Sequence, residues 1–361
     1  MRHRIWLIAV CTGVVFGFKA RCVGAEPIAL LELKIGNERM EGRIAAHDEQ
    51  KCWLFRRDGQ LASFLTDDVT DFHEIQPRFR PFSLIEVRDR LQTEFGRNFE
   101  VKTTIHYVVV ARHGTAAGYA TLFERIYRQF HTYFTTRGFH IAEPEFPLIA
   151  VVLPDEQSFI DYCVAEGAKP QAGLTGFYLT SSNRVALYDR AATGQSTVED
   201  VDDTVIHEGT HQVAFNTGVH SRIGTSPQWL VEGLATLFEA DRIRQRVVGT
   251  GAIDRVNPER LTWFRQYRTR RPRNSLEAFL RTDTLFKKST LDAYSQAWAL
   301  TFYLAESRPA EFASYLKAVA GRNPLEPYDE DARLKDFKSA FGNDLEFIEL
   351  GMLRYFEHLG Q

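Results

Sequence analysis

The chain has 361 residues, of which 44% are hydrophobic and 25% charged, a balance typical of a soluble globular protein of two or three domains. Its formal net charge is -3, with lysines and arginines spread along the sequence, so the electrostatic footprint of a nucleic-acid-binding protein is absent. We therefore expect a protein with a sizeable core and no nucleic-acid partner.

The first 25 residues have the layout of a signal peptide. A basic start at residues 1–4 precedes an apolar run over residues 5–18, and a polar stretch follows that ends in Val23-Gly24-Ala25. The run is shorter than the roughly 20 residues that a membrane span needs. The sequence thus predicts cleavage of residues 1–25 and export to the periplasm or the extracellular space, without stable membrane insertion. An uncleaved anchor is the alternative.

Residues 26–76 predict a small all-β domain. Short apolar alternations are separated here by turn signals such as Asp58-Gly59, which favours an antiparallel sheet or a barrel. The two prolines within residues 76–81 indicate a linker. Cys52 lies in this domain and Cys163 in the next. In an oxidising compartment the two could pair, and the alternative is that both are buried thiols.

Residues 82–250 alternate between helical and strand patterns and are expected to form the catalytic domain. Ser83 and Glu86 form a capping box, which starts a helix that Gly96 ends. The further predicted elements are a strand over residues 99–110, a long helix over 119–134, a strand over 146–153, a short helix over 159–164, and paired strands over 176–180 and 184–188.

Nearly every periodic segment after Ser196 is helical, including residues 291–304, 311–319 and 345–356. Residues 251–361 are therefore predicted to form a helical C-terminal subdomain. The whole chain is predicted to be α+β, with a barrel-like N-terminal domain, a mixed sheet in the middle and a helical C-terminal half.

The stretch His207-Glu208-Gly209-Thr210-His211 carries the H-E-x-x-H pattern, which has chemical meaning only on a helix. Ser196 and Glu199 form a capping box, so a helix is predicted over residues 197–217. Side chains four residues apart share one helix face, so both imidazoles can reach one Zn²⁺ ion. Glu208 then lies beside the ion as a general base.

A catalytic zinc site needs a third protein ligand. A metzincin would place a histidine at position 217 and a glycine at 214, where this chain has Thr217 and Ala214, so that class is excluded. His220 lies past the predicted helix end and would need an unusual turn to reach the ion.

Glu232 is the third candidate. It lies on a second predicted helix, with Ser226 as the N-cap and Pro227 at the first helical position. A carboxylate on an otherwise apolar face requires a partner, which a metal would supply. A buried salt bridge is the alternative.

This arrangement resembles the gluzincin metallopeptidases, in which H-E-x-x-H is followed at a distance by a ligand glutamate on a second helix. Residues 229–235, read with Glu239, are similar to the W-L-x-E-G-x-A-x-x-x-E run of the aminopeptidase branch. The resemblance implies a thermolysin-like catalytic fold, bound zinc and a peptide or protein substrate. It also implies a tyrosine some sixty residues downstream that stabilises the oxyanion, a position that Tyr294 fits.

Two features depart from the family patterns. The G-x-M-E-N signature that holds a substrate amino terminus is absent, and Thr236 stands where thermolysin-like enzymes have an acidic residue. The sequence therefore predicts an exported zinc peptidase of undefined specificity. Two alternatives are a catalytically silent zinc-binding scaffold and a cell-envelope binding protein whose N-terminal domain carries the main function.

Overall fold

The computed structural model of the protein describes residues 28–169, 173–189, 202–245 and 251–359. The predicted signal peptide and the predicted capping box at Ser196 lie outside these residues and stay predictions. No helix in the described ranges combines the length and the apolar character that crossing a membrane requires.

The N-terminal domain is an open antiparallel sheet. Its strands are β1 (Leu30–Ile35), β2 (Glu38–His47), β3 (Lys51–Arg56), β4 (Leu61–Leu65) and β5 (Val69–Gln76). The order β4-β3-β2-β1-β5 places β4 and β5 at opposite edges, and β5 is exposed along nearly its whole length. The prediction of an antiparallel sheet is confirmed. The barrel is wrong, because closure would need the two edge strands to pair.

This sheet packs on the rest of the chain through a small apolar cluster and one arginine. Phe55 and Phe146 meet there with ring centroids 5.6 Å apart. The guanidinium of Arg222 donates to the carbonyl oxygens of Gly59 at 2.7 Å and Thr180 at 2.6 Å. The N-terminal sheet therefore contacts the loop that follows the H-E-x-x-H helix.

The second sheet is mixed. Its strands are β6 (Phe99–Thr103), β7 (Tyr107–Arg112), β8 (Leu148–Leu153), β9 (Gly176–Leu179) and β10 (Arg184–Tyr188), in the order β6-β7-β8-β10-β9. Strands β7, β8 and β10 run parallel, whereas β6 and β9 are antiparallel edges.

The single strand predicted over residues 99–110 is wrong, because the chain turns back between β6 and β7. The hydroxyl of Thr104 accepts a hydrogen bond from the amide of Tyr107 at 3.1 Å and donates to Glu124 at 2.7 Å. These bonds stabilise a hairpin turn in place of a continuous strand.

Helices cover both faces of this sheet. Helices α1 (Leu84–Phe95) and α3 (Glu156–Ala165) pack on one face, and α2 (Ala116–Thr135) and α4 (Asp202–Asn216) pack on the other. The predicted capping box of α1 is confirmed, with Ser83 and Glu86 bonded reciprocally. Cys52 and Cys163 are both buried free thiols, so they do not pair.

The remaining chain is helical, as predicted. The elements are α5 (Gln228–Glu239), α6 (Asp241–Arg244), α7 (Pro258–Arg268), α8 (Ser275–Arg281), α9 (Thr284–Lys288), α10 (Thr290–Ser307), α11 (Pro309–Ala320), α12 (Glu330–Phe341) and α13 (Leu345–His358). Helix α10 is buried for most of its length and packs against both α5 and α7. One hydrophobic cluster continues from α2 and α4 through these helices. Helices α4 and α5 are therefore both anchored in one close-packed core.

Candidate metal centre

Helix α4 presents His207 and His211 on one face, as their spacing of four residues requires. Their Nε2 atoms lie 3.1 Å apart, and the two rings are nearly perpendicular. Both side chains are largely buried, with exposed fractions of 14% and 10%. The two imidazoles therefore converge on one point from consecutive turns of the helix.

Helix α5 brings Glu232 to the same point, although the helix begins differently from the prediction. Pro227 precedes the first helical residue, and the hydroxyl of Ser226 is buried without a hydrogen bond in the described part of the chain. The amide of Gln228 instead donates to the carboxylate of Asp283 at 3.1 Å. The cap predicted at Ser226 is thus wrong, because a residue distant in sequence takes that role.

The three side chains have the spacing of a metal-binding group. Oε2 of Glu232 lies 3.3 Å from Nε2 of His207 and 3.5 Å from Nε2 of His211. An ion with tetrahedral bonds of about 2.0–2.1 Å would hold its ligand atoms about 3.3–3.4 Å apart. Oε2 is buried and has no hydrogen bond within the described residues. The geometry and the two-histidine, one-carboxylate donor set both fit zinc.

Glu239, at the end of α5, orients the first histidine. Its Oε1 lies 2.9 Å from Nδ1 of His207, and its Oε2 accepts a hydrogen bond from Nδ2 of Asn257 at 2.9 Å. Arg260 donates to the same carboxylate at 3.3 and 3.4 Å. With Nδ1–H directed at Glu239, the lone pair of His207 Nε2 is free for the metal.

The electrostatics of the site favour a positive charge between these groups. Burial alone would lower the pKa of His207, but the carboxylates of Glu232 and Glu239 hold it well above its ordinary value. Burial would likewise raise the pKa of Glu232, but the facing imidazoles hold it below its ordinary range. A proton or a metal cation can supply the positive charge, and three converging ligand atoms suit the metal.

A cleft of about 1150 Å³ opens beside these residues. Glu208 and Tyr294 both line it, together with Gly176 at the start of the edge strand β9. The ring of Tyr294 lies 6.2 Å from that of His207, measured between centroids. Burial and the carboxylate of Glu232 raise the pKa of Tyr294 well above its ordinary value, so its hydroxyl stays protonated and can donate.

His220 is not a member of the metal-binding group that the described residues form. It is 2% exposed, and neither ring nitrogen has a hydrogen bond in the part of the chain that the structure describes. Burial and the charge of His211 lower the pKa of His220 to about 3, so the ring is neutral. The structure thus groups Glu232, the third ligand that the sequence predicts, with the two histidines, and leaves His220 out of the group.

The structure brings together all five site residues that the sequence predicts, and it adds Asn257 and Arg260, for which the sequence predicts no role. Their only signal is their position at the start of α7, and that position has meaning only once α7 is packed against α5. The resemblance in sequence includes Glu239 in its pattern but does not predict the hydrogen bond between Glu239 and His207.

Residues 202–326 match a family model described as "Protein of unknown function (DUF1570)". The matched segment begins with α4 and includes the metal-binding group, Glu208, Tyr294 and Arg260. No curated protein matches the chain.

Proposed function

We propose that the protein is a zinc-dependent peptidase in which His207, His211 and Glu232 hold the metal. The observation that carries this proposal is the convergence of three ligand atoms, 3.1 to 3.5 Å apart, of which His207 lines a cleft together with Glu208. Such a metal site next to a carboxylate in a large cleft is the arrangement that metal-assisted hydrolysis requires.

Each side chain has a distinct task in this mechanism. When bound, zinc acidifies a water molecule and polarises the substrate carbonyl. Glu208 takes the proton of the attacking water and passes it to the leaving amine. The hydroxyl of Tyr294, protonated because of its raised pKa, donates to the carbonyl oxygen as negative charge develops there.

The cleft suits an extended peptide substrate. Strand β9 pairs with β10 on one side and forms the edge of its sheet within the described residues, and Gly176 at its start lines the cleft. An extended peptide can add to such an edge through backbone hydrogen bonds. The edge strand, the helix pair α4 and α5 and the sequence resemblance together support a gluzincin-type, thermolysin-like catalytic domain. We also propose that the protein is exported, on the strength of residues 1–25.

The test compares residues 26–361 with the same protein carrying Glu208→Gln. Both are expected to bind one zinc ion per chain, because Glu208 is not a ligand. Hydrolysis of casein or a peptide library is expected only with the wild type, and the loss should be about 10²–10⁴-fold or more. Zinc in both proteins without turnover would favour the silent zinc scaffold. The absence of zinc from both would contradict the site itself.

A further inference from the structure

We propose that Arg260 is a positioning residue of the metal centre, which clamps Glu239 against His207 and so determines how tightly the three ligands hold the ion. This inference rests on the proposed function and adds to it a residue from α7, outside the helices that carry the ligands. It depends on contacts to both carboxylate oxygens of one buried glutamate.

The carboxylate of Glu239 is 11% exposed, and both of its oxygens have partners. Oε1 accepts from Nη2 of Arg260 at 3.4 Å, and Oε2 accepts from Nε of Arg260 at 3.3 Å. One guanidinium thus spans both oxygens. A planar fork on a carboxylate fixes its rotation as well as its position.

The position of Arg260 is itself fixed by the start of α7. Asn257 is the N-cap of this helix, and its side-chain oxygen accepts the amide hydrogen of Arg260 at 3.0 Å. The amide nitrogen of the same side chain donates to Glu239. Asn257 therefore joins the first turn of α7 directly to the carboxylate of Glu239. This fixes the backbone of Arg260 beside Glu239, so that its guanidinium can reach the carboxylate.

Arg260 also contacts the proposed oxyanion donor. Its guanidinium carbon lies 5.7 Å from the ring centroid of Tyr294, within the range of a cation–π contact. One side chain thus contacts both the group that orients a metal ligand and the tyrosine that lines the cleft. Removing it would free the Glu239 carboxylate to rotate, and His207 would lose the fixed acceptor of its Nδ1 hydrogen.

The experiment compares the full chain with Arg260→Gln, Arg260→Lys and the control Arg242→Gln. Arg242 lines the same cleft but is exposed, without an ion pair or hydrogen bond among the residues described. Zinc affinity is measured by competition with a chromophoric chelator, the ligand geometry by the visible spectrum of the Co²⁺-loaded protein, and folding by circular dichroism and thermal melting.

We expect Arg260→Gln to weaken zinc binding about 10-fold, the lower end of the range for loss of the direct partner of a ligating histidine, because Arg260 acts on His207 through Glu239. Its Co²⁺ spectrum should also change, which a loss of overall stability would not produce. Arg260→Lys keeps the charge but cannot span both oxygens, so its affinity should fall between Arg260→Gln and wild type. Arg242→Gln should match wild type in every measurement.

An Arg260→Gln protein with the zinc affinity and Co²⁺ spectrum of wild type would overturn the inference while leaving the proposed function intact. If Arg260→Gln does not fold, Arg260→Lys decides, and wild-type affinity in that variant overturns the inference. Equal weakening by Arg242→Gln would also overturn it, since the effect would then be one of cleft charge alone. A wild-type protein that binds no zinc would remove the proposed function and the inference together.

Discussion

Substitution of Gly233 by alanine tests how closely α5, which carries the ligand Glu232, approaches α10. Gly233 follows the ligand Glu232 on α5 and faces α10. A Cβ at this position would lie 2.6 Å from the carbonyl oxygen of Ala297 and 2.2 Å from the hydroxyl oxygen of Thr301. The threonine side chain can rotate, but the carbonyl belongs to the backbone of a buried helix. An ordinary contact begins at 3.4 Å, so α5 and α10 would have to separate by about 0.8 Å (3.4 − 2.6).

Overpacking of this kind costs about 1–3 kcal/mol, and alanine recovers up to about 1 kcal/mol through its higher helix propensity. Because the clash is with a backbone atom, we expect the upper end, a net loss of about 2–3 kcal/mol in the free energy of unfolding. For a chain of this size this corresponds to a fall in Tm of about 3–4 °C. Zinc affinity should also fall, because Glu232 moves with the helix.

Thermal melting by circular dichroism and chelator competition measure the two effects. Gly118→Ala is the matched control, since Gly118 is exposed on α2 and nothing lies within 4 Å of a Cβ built there. This control should melt at the wild-type temperature or slightly above it. A Gly233→Ala protein that melts as high as the control, with unchanged zinc affinity, would refute the reasoning from close helix approach.

Three further substitutions, one of them with a matched control, test the catalytic tyrosine, the buried histidine and the start of α5. Tyr294→Phe should lower kcat about 10²–10³-fold and leave zinc content unchanged, as measured by steady-state kinetics and metal analysis; an unchanged kcat would remove Tyr294 from the mechanism. His220→Met should leave the free energy of unfolding at pH 7 within about 1 kcal/mol, because neither ring nitrogen has a hydrogen-bond partner among the described residues. The pKa of His220 is about 3 in the folded state against an ordinary 6.5, so the unfolded chain binds the proton first and stability falls as pH drops between these values. Urea titrations from pH 7 to 4 should show a shallower fall in the free energy of unfolding for His220→Met than for wild type. Equal slopes in the two proteins would contradict the low pKa of His220 in the folded state. Asp283→Ala should destabilise the protein by about 1 kcal/mol, by removing the acceptor at the start of α5, whereas Ser226→Ala should have no such effect.

The elements that were predicted correctly depend on interactions within a few residues. The capping box of α1 uses Ser83 and Glu86, three positions apart, so the sequence contains both partners. The hairpin of β9 and β10 is equally local. The continuous strand predicted over residues 99–110 is wrong because the chain reverses near Thr104. The hydroxyl of Thr104 donates to Glu124 on α2, and the β-branched composition of the segment does not indicate this distant contact.

The sequence by itself determined which face of α4 carries the two imidazoles, because a helical period of 3.6 residues places positions 207 and 211 together whatever surrounds them. It also indicated that Glu232 needs a partner, since a carboxylate on an apolar face is costly to leave unpaired. Only the tertiary structure decided that this carboxylate reaches both imidazoles, that Asp283 caps α5 and that Arg260 clamps Glu239. These contacts join residues 21 to 55 positions apart, and the packing of α5 against α4, α7 and α10 determines them. No local pattern encodes that packing, because it depends on the shapes of several buried surfaces at once.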